Sequence, residues 1–138
     1  MKTRIRIFLI FGAILISSPS FSFTDLCSIG NEVLSQTTAQ TNEYFQDNLS
    51  NRRVEGKGVV YDVEEVAGGF NKECFVTVRC GDDVFAEVLT KCIGSVGDLK
   101  VGQPISFTGT CIDFEKDYYQ NSNKRYVNFK VTKPVLRY

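Results

Sequence analysis

"ECFVTVRCGDDVFAEVLT", residues 73–90, alternates in chemistry on both sides of a short polar interruption. Cys74, Val76, Val78 and Cys80 share one face of an extended chain, and Phe75, Thr77 and Arg79 share the other. After Gly81-Asp82-Asp83 the period resumes. Val84, Ala86 and Val88 lie on one side, Phe85, Glu87 and Leu89 on the opposite one. Two period-two arms around a glycine-led polar turn read as a β-hairpin. In that setting Asp82 and Asp83 are turn formers rather than a cation site.

The same period extends outward from the hairpin. Upstream, "VEGKGVVYDVEEV" (54–66) is a strand whose glycines allow a bulge or strong curvature. "AGGFNK" (67–72) is its glycine-bearing connection to the hairpin. Downstream, "KCIGSVGDLKVGQ" (91–103) is a longer connection with room for one helical turn. "PISFTGTCIDF" (104–114) is a fourth strand, with Ile105, Phe107, Gly109 and Cys111 inward. "YVNFKVTKPVL" (126–136) is a fifth, with Val127, Phe129 and Val131 inward. Five short, curved strands at this spacing suggest a small closed or partly open barrel.

The N-terminal part has different periods. Lys2, Arg4 and Arg6 precede the apolar run "IFLIFGAILI", which "SSPSFS" ends. A basic start, a short apolar stretch and small residues at the end form a secretory signal, with cleavage expected after Ser22. The run is too short to span a bilayer. Residues 23–138 are then a single domain of the exported chain, periplasmic or secreted. A helix is expected over about 25–47, capped by Thr24 or Asp25, its stripe formed by Leu26, Ile29, Val33, Thr37, Gln40 and Tyr44.

Charge and cysteine content exclude several classes. The full chain has 16 basic and 16 acidic residues, and removing the signal takes away three basic ones, for a net charge of about −3. A globally basic footprint, the first mark of a nucleic-acid binder, is absent. Histidine is absent too, and with it every Ser-His or Cys-His nucleophile and a His-containing zinc site. The five cysteines are those of a disulfide-stabilised exported domain: two bonds and one thiol left over. Folding the hairpin brings Cys74 to Cys92. Antiparallel pairing of the fourth strand with the first brings Cys111 toward Cys80. The expected pairs are Cys74–Cys92 and Cys80–Cys111. Cys27 is left free, able to link two chains, with its capture of Cys80 or Cys111 as the alternative.

"NEYFQDNLSNRRVEGKGVVYDV" followed by "DLKVGQPISFTGTCIDF" resembles the exported bacterial OB-fold proteins of the tRNA-anticodon-binding-like type. The resemblance rests on Leu99, Gly102, Ile105, Phe107, Gly109 and Cys111, and more loosely on Val54, Gly56, Gly58 and Val60. It implies a mainly β, α+β fold: a five-stranded OB-fold barrel with an N-terminal helix. Such barrels take ligands on the face of their second and third strands and on the two loops beside it.

On this chain the face offers Phe75, Arg79 and Phe85, and the first loop Phe70, Asn71 and Lys72. The second loop, "DYYQNSNKRY" (117–126), and its approach offer Lys116, Tyr118, Tyr119, Lys124, Arg125 and Tyr126. Aromatic rings interleaved with cations can stack on bases or sugar rings. A plainer reading places Phe75, Phe85 and Leu89 beneath the helix, with Lys124 and Arg125 simply solvated. No clustered carboxylates beside arginines are seen, so no catalytic residue, metal site or cofactor is assigned. The leading expectation is a non-enzymatic binding module for a glycan, an oligonucleotide or a protein. An envelope assembly protein or toxin-type B subunit is the alternative, and a secreted nuclease a weaker one.

Overall fold

The computed structural model describes residues 23–66, 72–92 and 94–138. The signal expected at 1–22 and the loop residues Phe70 and Asn71 lie outside them. In chain order the elements are β1 (Thr24–Asp25), α1 (Leu26–Ser35), α2 (Thr38–Asn48), β2 (Arg52–Glu65), β3 (Glu73–Arg79), β4 (Val84–Lys91), a 3-10 turn (Gly94–Asp98), β5 (Pro104–Tyr118) and β6 (Arg125–Arg137). The five expected strands are β2–β6. The fold is mainly β, with two helices and a mixed six-stranded sheet.

The expected single helix is two. The stripe turns polar in its middle, and Thr37 there adopts an extended conformation instead of continuing the turn. The Thr37 side chain accepts from Gln40 N, and Gln40 Oε1 accepts from Thr37 N. This reciprocal capping box starts a new helix where the old one runs out of apolar residues. Asp25 caps α1 by accepting from Cys27 N.

The strand order is β1-β2-β3-β4-β6-β5, and β2 also pairs with β5. The pairings β2-β3-β4-β6-β5-β2 therefore return to their start. β4 and β6 are parallel, and the other pairs of this circuit are antiparallel. A single long strand makes closure possible. β2 pairs with β5 over 52–59 and with β3 over 59–65. A bulge between Val60 and Asp62, where the ladder shifts register, bends it from one partner to the next.

The inner faces fill the circuit. Val54, Val60, Val76, Val78, Val84, Val88, Phe107, Val127, Phe129 and Val131 are buried, as are Leu26, Val33, Phe45 and Leu49 from the helices and the helix–strand connection. Full burial of each Val, Leu or Phe is worth about 1.5–3 kcal/mol. Helix α1 closes onto β4 through Gly30, where a Cβ would overlap the Val84 side chain.

The disulfides correct one expectation. Cys74 bonds Cys92, with Cα atoms 5.3 Å apart. Cys80, however, bonds Cys27, again with Cα atoms 5.3 Å apart, and Cys111 is a buried free thiol. The β2–β5 register explains it. Cys111 lies opposite Arg52, whereas Cys80 follows Arg79, which lies opposite Val59. Seven residues of strand, about 23 Å, separate those two levels. Cys27 is close to Cys80 because its sulfur sits 3.4 Å from Lys57 N, in the middle of β2 next to Gly58, against which the Cys80 backbone packs. With Cys27 paired inside the chain, the interchain link expected of it is unavailable. Burial pushes the Cys111 thiol up to about 12, so it is not a reactive nucleophile.

The two bonds close loops of different length, with separations of 53 and 18 residues. Loop-closure entropy assigns about 4 kcal/mol to the first and about 3 kcal/mol to the second. Denaturant unfolding of the double Cys27→Ser/Cys80→Ser and Cys74→Ser/Cys92→Ser variants should show that order. A larger loss from the second pair would contradict it.

Candidate ligand cleft

A cleft of about 500 Å³ opens on the outer face of the sheet, beside the β5–β6 loop. That size lies within the roughly 300–1,000 Å³ usual for ligand sites. Its lining is Tyr61, Asp62, Thr77, Phe85, Tyr118, Tyr119, Gln120, Tyr126 and Asn128. Five of these nine residues are aromatic.

The rings form a continuous row. Tyr61 meets Phe85 edge-on at 5.0 Å, Phe85 meets Tyr126 at 6.4 Å, and Tyr126 meets Tyr119 at 5.1 Å. Such separations are favourable for aromatic pairs and hold the rings as one surface. Phe85 is 8% exposed and forms the floor, while Tyr61 and Tyr118 are 52% and 55% exposed at the rims. Phe85 therefore does not sit beneath the N-terminal helix. Helix α1 covers the interior of the circuit, and the outer face stays open to Tyr61 and Tyr126.

Period two accounts for most of the floor. Phe85 on β4 pairs with Asn128 on β6, so the two project from the same face, and Tyr126 follows two residues earlier. Tyr61 is the extra residue of the β2 bulge, beside the Asp62–Thr77 pair. Tyr61 faces outward by alternation after the buried Val60, and the bulge turns the next residue, Asp62, to the same outer face. Asn128 and Thr77 were legible from alternation on their strands. Tyr61 was legible in the same way, from the alternation that buries Val54 and Val60, and Asp62 was not.

The loop is held from below. Tyr119 donates its hydroxyl proton to Asp83 Oδ1 at 2.8 Å, and Lys124 lies 3.6 Å from the same carboxylate. Tyr119 N donates to Lys124 O, and Ser122 N to Tyr119 O. The expected loop 117–126 is correspondingly shorter, because β5 runs on through Tyr118.

The cations expected at the site are engaged elsewhere. Lys116 Nζ donates to Val33 O at 2.8 Å, Gln36 O at 2.6 Å and Thr41 Oγ1 at 3.0 Å. Arg125 donates to Leu34 O and lies 6.0 Å from the Tyr118 ring. Both complete the C-terminal end of α1, where cations are favoured. Lys116 faces the helices because Ile112 has no ladder partner, which shifts the phase of β5 beyond it. Arg79 donates to Gly81 O and Asp82 O and so braces the β3–β4 turn. Phe75 lies farther along the sheet, opposite Leu89 and Glu64, and does not line the cleft.

One polar atom in the cleft lacks a partner. Asn128 Oδ1 is buried and accepts no hydrogen bond among the described residues. A buried acceptor without a donor costs about 1–3 kcal/mol. Among the described residues no group of three or more His, Cys, Asp or Glu side chains could hold a metal ion.

No family model matches the chain, and no curated protein matches it. A crystal structure provisionally described as a nucleic acid-binding lipoprotein of Klebsiella pneumoniae subsp. pneumoniae resembles it, with a TM-score of 0.55. The two share 17% identity, over 84% of this chain and 92% of that one. The likeness is one of fold. Among the described residues no helix is long and apolar enough to cross a membrane.

Two consequences are measurable. Burial first, then the hydrogen bond to Asp83 and the charge of that carboxylate, push the Tyr119 phenol up to about 12. A raised phenol pKa means the folded state keeps a proton that the unfolded state loses near pH 10. The stability this confers is whole below about pH 10 and is lost as pH rises toward 12. Ultraviolet titration should show this late phenol, and Tyr119→Phe should remove it and flatten the alkaline loss. Separately, Lys116→Met keeps the stem but leaves the α1 carbonyls without their donor. It should cost about 2 kcal/mol in denaturant unfolding, as charged hydrogen bonds do, and an unchanged midpoint would refute that role.

Proposed function

We propose that this chain is an exported, non-enzymatic binding module built on an OB-type barrel, and that its ligand occupies the aromatic cleft. The observation that carries the reading is the unbroken row Tyr61–Phe85–Tyr126–Tyr119, with the unpartnered Asn128 Oδ1 beside it. Exposed rings and a buried acceptor are costly to a domain with no ligand and useful to one that has it.

Three further observations support the parts of this reading. The closed circuit of β2–β6 has the strand connectivity of a five-stranded Greek-key barrel. The family resemblance of the β2 and β5 segments points the same way. Two disulfides fit an oxidising compartment, periplasmic or extracellular. The Klebsiella protein, of similar fold, is described as a lipoprotein, which is an exported class. Its description also names nucleic acid, so an oligonucleotide belongs among the ligands to be tried.

The test is a backbone-amide NMR titration with two probes, oligo-dT and a neutral hexasaccharide. Shift changes with at least one probe should concentrate at Tyr61, Thr77, Phe85, Tyr119, Tyr126 and Asn128. A second depression, about 260 Å³, lies on the β2–β5 side next to Lys57 and Arg137. Changes confined there would sink the proposal.

A further inference from the structure

We infer that the cleft takes a neutral oligosaccharide and discriminates against an anionic strand. The inference rests on the cleft being the ligand site and adds the chemical class of the occupant.

Charge comes first. Among the described residues the cleft lining contains no lysine or arginine, and its charged member is Asp62. The cations nearby have other partners. Lys116 and Arg125 are bonded to α1 carbonyls, Arg79 to turn carbonyls, Lys130 to Glu87 at 2.8 Å and Lys124 to Asp83. The rim is acidic as well. Asp117 lies directly opposite Tyr126 on the β5–β6 ladder, and Glu115 directly opposite Asn128. A phosphodiester entering here would meet Asp62 in the lining and Glu115 and Asp117 beside it with no cation in the lining itself, and affinity for such strands comes mainly from phosphate neutralisation.

Hydrogen bonding comes second. The Asp62 carboxylate only accepts, and the buried Asn128 Oδ1 is an acceptor with no donor. Thr77 and Gln120 can both accept and donate. Together they call for a ligand rich in O–H or N–H donors. Sugar hydroxyls supply these on every ring, whereas the phosphodiesters of a nucleic-acid strand supply none and leave only its base N–H groups.

Shape is the third observation. Tyr61 and Tyr118 stand exposed at the rims with Phe85 as floor, and their flat apolar faces match the C–H faces of pyranose rings. A volume of about 500 Å³, open at the top, suits a few consecutive sugar rings.

The experiment uses the labelled full domain with both disulfides intact. It is titrated with cellohexaose, maltohexaose, fully acetylated chitohexaose and oligo-dT, each between about 50 and 200 mM salt. At least one hexasaccharide should shift Phe85, Tyr126 and Asn128, with affinity changing less than about twofold over that range, because no counterions are released. Tyr61→Ala and Tyr118→Ala remove exposed rings and leave the core alone, and each should weaken that affinity about tenfold, as loss of one stacked ring does. The inference is overturned if oligo-dT alone shifts the cleft with steep salt dependence, and the cleft then still stands as the ligand site. It is equally overturned if no hexasaccharide shifts cleft amides at millimolar concentration. Sugar-induced shifts outside the cleft would instead bring down the site itself.

Discussion

Everything in this molecule hangs on β2 having two partners within the strand circuit. One strand of 14 residues is paired antiparallel to β5 along its first half and to β3 along its second. That double pairing leaves the circuit of strands without a free edge at β2, and an unpaired edge is what small sheets must otherwise protect. It also turns the alternating apolar residues of five strands toward one interior. The strand must bend to serve both partners, and the bend is the bulge at Tyr61. The same irregularity that lets the sheet close turns Asp62 outward beside Tyr61, so closure and one wall of the cleft have one cause.

The polar side chains divide the remaining work. A short domain leaves the last carbonyls of its helices unsatisfied unless something reaches them. Here Lys116 and Arg125, from the two strands around the loop, reach Val33, Leu34 and Gln36. The Cys27–Cys80 bond fastens the other end of α1 to the β3 terminus. The helix is thus anchored at both ends, and its apolar stripe seals the interior. Cations committed in this way are withdrawn from the cleft, which is left aromatic, acceptor-rich and mildly acidic.

Much of this could be read from residues alone, because it depends on local repetition. The period of two in 73–90 and 104–114 placed the strands and their buried faces, since alternate side chains of an extended chain cannot share a side. The tyrosines around 118–126 were visible as a cluster, and four of the expected ligand residues, Phe85, Tyr118, Tyr119 and Tyr126, come together in the cleft. What escaped was whatever depended on a phase change or on a distant partner. The bulges at Tyr61 and Ile112 each reverse which residues face in beyond them, so Asp62 was missed and Lys116 was assigned to the wrong surface. The break at Thr37 turned one helix into two through a hydrogen-bonded cap that periodicity does not register.

The sequence by itself determined five of the six strands, most of the faces that must be buried, the absence of histidine chemistry and the need for two disulfides, because each follows from composition or from a repeat of fixed length. Only the tertiary structure decided that Cys80 meets Cys27 rather than Cys111, because strand register sets that choice over about 23 Å and a hydrophobic pattern repeats every two residues without naming its partner. The tertiary structure also decided the fate of the charges. A lysine in a sequence is a cation open to any acceptor, and only packing showed that these cations close a helix and leave the tyrosines to line the cleft.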